Sequence, residues 1–255
     1  MTLGAHLSEL RTRLSRAVIA IVAMTGVAWA FYPRLFDIIK APIEGVVFEA
    51  QAQGLDVRLV LTGVTDPFLL QLQVSAVAGL ILATPVWSYQ VWRFIAPGLH
   101  RHERTWAYAF AAMAAPLFIA GALTAYYVMP FGLALLFGFT PEGVGNYVPV
   151  NRYLAFFLRL ILVFGFGYLT PVLLLLLNAA GIVSGRALAR WWRIILLSVL
   201  AFAAIATPTG DPFNMLLLAG PMLLIIFTAV GLAVLNDRRR DRRRAAEEEA
   251  DPLPA

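Results

Sequence analysis

Long apolar runs alternate along the chain with short charged punctuation. The apolar runs are Ser15–Tyr32, Phe68–Trp92, Thr105–Met129, Tyr153–Asn178, Trp191–Thr207 and Phe213–Leu235. A helix needs about 20 such residues to cross roughly 30 Å of hydrocarbon, so the pattern predicts six membrane spans. The fifth, at about 17 residues, and the sixth, at about 23, are expected as short helices, the fifth short enough to thin the bilayer or lean on neighbouring helices. Ahead of the first run, Leu3, Leu7, Leu10 and Leu14 fall on one helical stripe. That predicts an amphipathic helix at the membrane interface, continuous with the first span.

The connections carry the topology. Arg11, Arg13 and Arg16, then Arg93, Arg101 and Arg104, then Arg186, Arg190 and Arg193, then six arginines in 238–244 fall on one side of the six spans. Arg34, Lys40, Arg58 and Arg152 fall on the other. The positive-inside rule then predicts that both termini are cytoplasmic. The first outer connection, 33–66, contains two mixed segments, 34–40 and 42–53, expected as interfacial helices or a cap over the outer face. The second, 130–152, is rich in Gly and Pro and reads as a loop. Residues 1–236 form one six-span domain in this reading, and the basic-then-acidic tail, 237–255, is expected to be disordered.

Composition sharpens the class. The chain is 60% hydrophobic with a mean hydropathy of +0.77, against about 45–50% apolar residues in soluble domains. Its net charge of +5 comes from arginines that flank apolar runs, which argues for a membrane surface rather than nucleic acid. Cysteine is absent, which excludes disulfides, thiolate metal sites and Cys nucleophiles. Ala28-Trp29-Ala30 after a basic start has the look of a signal-peptide cleavage site, but cleavage would discard the patterned N-terminal segment, and we expect none.

Ionisable groups inside spans mark ion and proton paths, and here they are nearly missing. Arg159 is the exception, roughly 10 Å below the outer end of the fourth span at about 1.5 Å per residue. Snorkelling to the outer surface is the favoured reading, with a wet groove as the alternative. No His-x-x-x-His or Gly-x-Ser-x-Gly occurs, and His6, His100 and His102 all lie at the predicted cytoplasmic surface. No catalytic residues, metal ligands or cofactor are expected.

Two carboxylates stand out against this background. Glu9 lies off the leucine stripe and four residues before Arg13, where an i,i+4 ion pair is its simplest role. Glu103 lies among Arg93, Arg101 and Arg104, just after Pro97-Gly98 ends the second span. A carboxylate in the first turn of a helix is also a dipole preference.

His6-Leu7-x-Glu9-Leu10-Arg11-x-Arg13-Leu14 together with Phe94-x-x-Pro97-Gly98-Leu99-x-x-x-Glu103-Arg104 resembles the TatC family, the multi-spanning core of the twin-arginine protein translocase. Further matching pieces are Asp66-Pro67-Phe68, Pro85-Val86-x-x-Tyr89-Gln90-Val91-Trp92, Gly181-Ile182-Val183-Ser184 and Thr207-Pro208-x-x-Asp211-Pro212-Phe213. The resemblance covers about 230 residues, all but the tail. It implies a curved, glove-like six-helix bundle in a bacterial or archaeal cytoplasmic membrane. It implies recognition of twin-arginine signal peptides on folded cargo, and transport of that cargo with TatA and TatB, or one bifunctional partner, using the proton-motive force. It also implies contact with membrane lipid and possible homo-oligomers. Glu9, Phe94, Glu103 and Arg104 match its signal-peptide site. Pro85, Gln90, Arg159, Thr170 and Asp211 are candidates for partner-helix contacts or structural roles, with Pro85 expected to kink the second span and Asp211 to serve the turn before the sixth. Two departures stand out: Leu169 occupies a position where many members carry glutamate, and Phe227 another polar one. Thr170 is expected to offer a weaker polar contact instead. A secondary transporter of a small solute is the alternative, weakened by the absence of internal repeats.

Overall fold

The computed structural model describes residues 3–95, 103–141, 144–179, 181–206 and 212–250. Ten helices and two short strands follow in the order α1 (Leu3–Ala30), α2 (Tyr32–Ala52), β1 (Val57–Val60), α3 (Asp66–Leu82), α4 (Thr84–Ile95), α5 (Glu103–Phe137), β2 (Asn146–Pro149), α6 (Val150–Gly167), α7 (Leu169–Ala179), α8 (Gly185–Arg190), α9 (Trp192–Ala206) and α10 (Pro212–Ala250). This is an all-α integral membrane architecture. Leu7–Ala30, Ala112–Phe137, Val150–Ala179 and Met215–Arg242 are each long and apolar enough to cross a bilayer. The pair α3–α4, bent by 59°, is long and apolar enough only when taken together, which brings the number of such spans to as many as five among the described residues. The remaining expected span corresponds to α9, short at 15 residues.

α1 lies along α3 and α4, α5 packs between α4 and α6–α7, and α10 closes the bundle against α7, α8 and α9. Where α5 crosses α6 the backbones nearly touch: a Cβ at Gly121 would overlap the carbonyl of Phe164. Small residues at such crossings are how membrane helices approach closely. Thr124 Oγ1 and Tyr168 Oη hydrogen-bond at 2.7 Å across the same interface.

The bend expected at Pro85 occurs, centred on Ala83. Proline lacks the N–H that would continue the ladder, and a span tolerates a break only where the freed backbone groups find partners. Here Thr84 Oγ1 and Trp87 Nε1 both donate to the Leu80 carbonyl, at 3.2 and 3.1 Å. The Trp87 ring meets Phe118 and Phe166 at centroid distances of 5.8 and 5.7 Å, so α4, α5 and α6 all grip the break.

Three expectations are corrected. The segments 34–40 and 42–53 are one helix, α2, which runs through Pro42. Ile39, Pro42, Ile43, Val46 and Ala50 form its buried face, and that packing outweighs one missing hydrogen bond. Likewise α5 continues through Pro130 to Phe137, because Leu133 and Phe137 are buried in the core. The expected boundary at 236 falls inside α10, which stays helical to Ala250. A feature without a sequence signal is the parallel pairing of β1 with β2, in the register Val57↔Asn146 to Val60↔Pro149, which ties the connection after α2 to the one after α5.

Candidate functional site

α1 sorts its residues by face. Leu7, Leu10 and Leu14 are exposed, as an interfacial stripe requires. Glu9, Arg13, Ala17 and Ile21 recur every four residues on the opposite, less exposed face, and α1 packs there on α3 and α4. Glu9 and Arg13 therefore extend the packed face of the first span beyond its apolar part. Arg13 Nε donates to Glu9 Oε1 at 3.0 Å, and Arg13 Nη2 reaches the same oxygen. The other oxygen, Oε2, is buried and has no hydrogen-bond donor among the described residues. A buried acceptor left unmatched costs free energy until a donor arrives.

At the end of α4, Gln90 Oε1 is likewise buried without a donor among the described residues. Phe94 is half-buried one turn on. Arg93 is turned to its own helix, donating to Tyr89 Oη at 3.4 Å with its guanidinium 5.9 Å from that ring. Glu103 and Arg104 open α5, which puts them in its first turn; their side chains lie outside the described residues, as do residues 96–102. On the outer flank of α1, Leu7, Ser8, Arg11, Thr12, Ser15 and Arg16 line an open groove of about 630 Å³.

The other candidates scatter. Arg159 is exposed on α6 and lines none of the described cavities. Thr170 is exposed and lines a mostly apolar groove of about 290 Å³ with Phe166, Gly167, Ser198, Val199, Phe202, Met222 and Ile226. Leu169 points elsewhere, packing with Leu117 against Ala114, Val172 and Leu176. Phe227 is exposed on α10. Asp211 lies outside the described residues. No cluster of three or more metal-ligating side chains occurs among the described residues.

Sequence reasoning missed one polar network. Asn178 is buried at 1% exposure, and its Nδ2 donates to Asp237 Oδ1 at 2.7 Å and to the Val183 carbonyl at 3.1 Å. Asp237 Oδ2 accepts the backbone N–H of Gly185 at 2.6 Å. Asn236 Nδ2 donates to Asn178 Oδ1 at 3.0 Å, and Arg240 donates to the Asn178 carbonyl at 3.3 Å. Gly185 is obligatory here, since a Cβ would overlap the backbone of Ala233 and Val234. The signal was available: Asp237 is an acid heading a run of arginines at the end of a span, much as Glu103 stands among arginines.

Fold and site together define a polytopic helical membrane protein with a polar pair built into the packed face of its N-terminal helix. The family model for "Sec-independent protein translocase protein (TatC)" matches residues 5–221. The chain is 41% identical to the TatC of Frankia casuarinae, over 95% of this chain and 68% of that protein. It is 40% identical to the TatC of Xylanimonas cellulosilytica, over 96% and 88% respectively. A crystal structure of the twin-arginine translocase receptor TatC superposes with a TM-score of 0.78 at 32% identity, covering 89% of this chain and 99% of that one. The chain belongs to the TatC family. It is a multi-pass membrane component of a Sec-independent protein translocase, a family not known for catalysis.

Proposed function

We propose that this chain is the receptor and core of a twin-arginine translocase. It binds signal peptides at its arginine-rich face, with both termini in the cytoplasm and the chain resident in the cytoplasmic membrane. The observation that carries the reading is the state of Glu9: one carboxylate oxygen held by Arg13, the other buried and without a donor among the described residues. A guanidinium is the donor best matched to that oxygen, because it presents several N–H groups in a planar fork and keeps its charge. Glu103, at the start of α5, supplies a second carboxylate on a separate element, so each arginine of the pair has its own acid. Arg104 and the neighbouring arginines repel a misplaced cation. Phe94 offers an aromatic surface to the apolar part of the peptide.

Transport of folded cargo then proceeds with single-span partners of the TatA and TatB type, driven by the proton-motive force, within an assembly that includes further copies of the chain. The groove beside Thr170 supports the docking of a partner helix. In this chain that groove is apolar, so packing rather than a buried acid would hold the partner.

Photocrosslinking tests the reading. A twin-arginine signal peptide should crosslink to probes at Glu9, Phe94 and Glu103, and the crosslinks should vanish with a Lys-Lys peptide or with Glu103→Ala. Crosslinks that survive both changes would sink the proposal.

A further inference from the structure

Beyond its apolar stretch, α10 carries two faces with different fates. The packed face runs through Ile226, Ala229, Val230 and Ala233, all buried, into Asp237, Arg240 and Asp241. These three are occupied: Asp237 and Arg240 by the Asn178 network, and Asp241 by Arg186 Nη2 at 3.1 Å. The exposed face runs through Leu224, Thr228, Leu232 and Leu235, the surface that lipid covers. It continues without a change of phase into Arg238, Arg239 and Arg242, which are exposed and form no ion pair among the described residues.

We propose that Arg238, Arg239 and Arg242 form a binding surface for the phosphate groups of anionic phospholipids in the leaflet at which α10 leaves the membrane. Height is the first argument. At about 1.5 Å per residue, Arg238 lies about 4.5 Å and Arg242 about 10.5 Å beyond Leu235. Both fall near or within a Debye length of about 8–10 Å. Direction is the second. Side chains of a helix lean toward its N-terminus. The N-terminus of α10 is its membrane end, so these guanidiniums lean back onto the headgroups. Charge is the third. The two acids nearest them, Asp237 and Asp241, are already held by other donors. Rigidity is the fourth. The Asn178–Asp237 bond and the tight seat of Gly185 on Ala233 and Val234 fix the rotation of α10. The arginines are thereby kept above the lipid that bathes the span.

This surface does not depend on signal-peptide recognition, and its test reads lipid alone. The purified full chain would be titrated with phosphatidylglycerol and phosphatidylcholine, and bound lipid counted by native mass spectrometry. The wild type should retain phosphatidylglycerol in preference. The R238Q/R239Q/R242Q variant should lose about a hundredfold in that preference, following the usual contribution of each basic residue at an anionic surface. Single Arg→Gln changes should lose about fivefold each, which keeps the test decisive if the triple variant folds poorly. The triple Arg→Lys variant should retain the preference, and so should R190Q/R193Q, whose arginines lie outside this face. Equal phosphatidylglycerol binding by wild type and a folded R238Q/R239Q/R242Q variant overturns the proposal. So does a surface that captures polyglutamate equally well with and without phosphatidylglycerol present, because its occupant would then be an acidic polypeptide.

Discussion

Arg13 and Glu9 meet through one carboxylate oxygen only, with Arg13 Nε at 3.0 Å from Oε1 and no donor among the described residues on the buried Oε2. An i,i+4 ion pair is worth only about 0.2–0.5 kcal/mol on a helix surface. Its more consequential effect here is to fix the rotamer of Glu9, so that the vacant oxygen keeps one direction. Glu9→Gln should therefore weaken binding of a labelled twin-arginine peptide by about 10- to 100-fold, the range of one charge-assisted hydrogen bond. Fluorescence anisotropy on the purified chain reads it, and a change within twofold would remove Glu9 from the site. Arg13→Gln frees the carboxylate to rotate and should cost less than Glu9→Gln.

Asn178 serves two helices and a loop at once. Asn178→Leu keeps the branched shape of the side chain but removes the amide that donates to Asp237 and Val183. It should destabilise the chain by about 2–4 kcal/mol, the cost of stranding buried polar groups, visible as a lower melting midpoint in detergent. Asp237→Asn should cost less, since its side chain can still accept one of the two hydrogen bonds. If Asn178→Leu melts with the wild type, the network does not hold α10.

The bend between α3 and α4 should outlast its proline. Thr84 and Trp87 already satisfy the Leu80 carbonyl, and Trp87 is gripped by Phe118 and Phe166. Spin labels at Leu72→Cys and Val91→Cys, in a chain without native cysteine, should report nearly the same distance in Pro85→Ala as in the wild type. The distance should lengthen when Trp87→Leu is added. Straightening by Pro85→Ala alone would show that the proline, and not its neighbours, sets the angle.

Placing at Leu169 the glutamate that the family resemblance implies should not help this chain. Leu169 packs among Leu117, Ala114, Val172 and Leu176, which offer a carboxylate no side-chain donor. Leu169→Glu should lower stability by about 2–4 kcal/mol, measured as loss of monodisperse protein on heating. A variant as stable as the wild type would mean the side chain turns into the Thr170 groove instead.

Much of the fold was legible because membrane spans advertise themselves. The apolar runs, the N-terminal leucine stripe and the Pro85 break translate directly into α1, α3–α4, α5, α6–α7 and α10. The ends were less legible. Pro42 and Pro130 are locally helix breakers, and both helices continue because residues such as Ile43 and Phe137 gain burial from partners that a local reading cannot see. The tail reads as disordered by charge, yet Asp237 is bonded across 59 positions to Asn178. At the site, Glu9 was visible as a pattern. That only one of its oxygens is engaged depends on how α1 seats on α4, which no spacing reveals.

β1 and β2 run parallel, and three helices, α3, α4 and α5, separate them in the chain. Such a pairing cannot nucleate locally, since its partners meet only after the intervening helices have entered the bilayer and packed. The strand pair therefore acts as a timestamp on biogenesis. In a pulse of hydrogen exchange during insertion, the amides of Val57–Val60 should be among the last to gain protection, marking the moment when the first and second halves of the chain become one body.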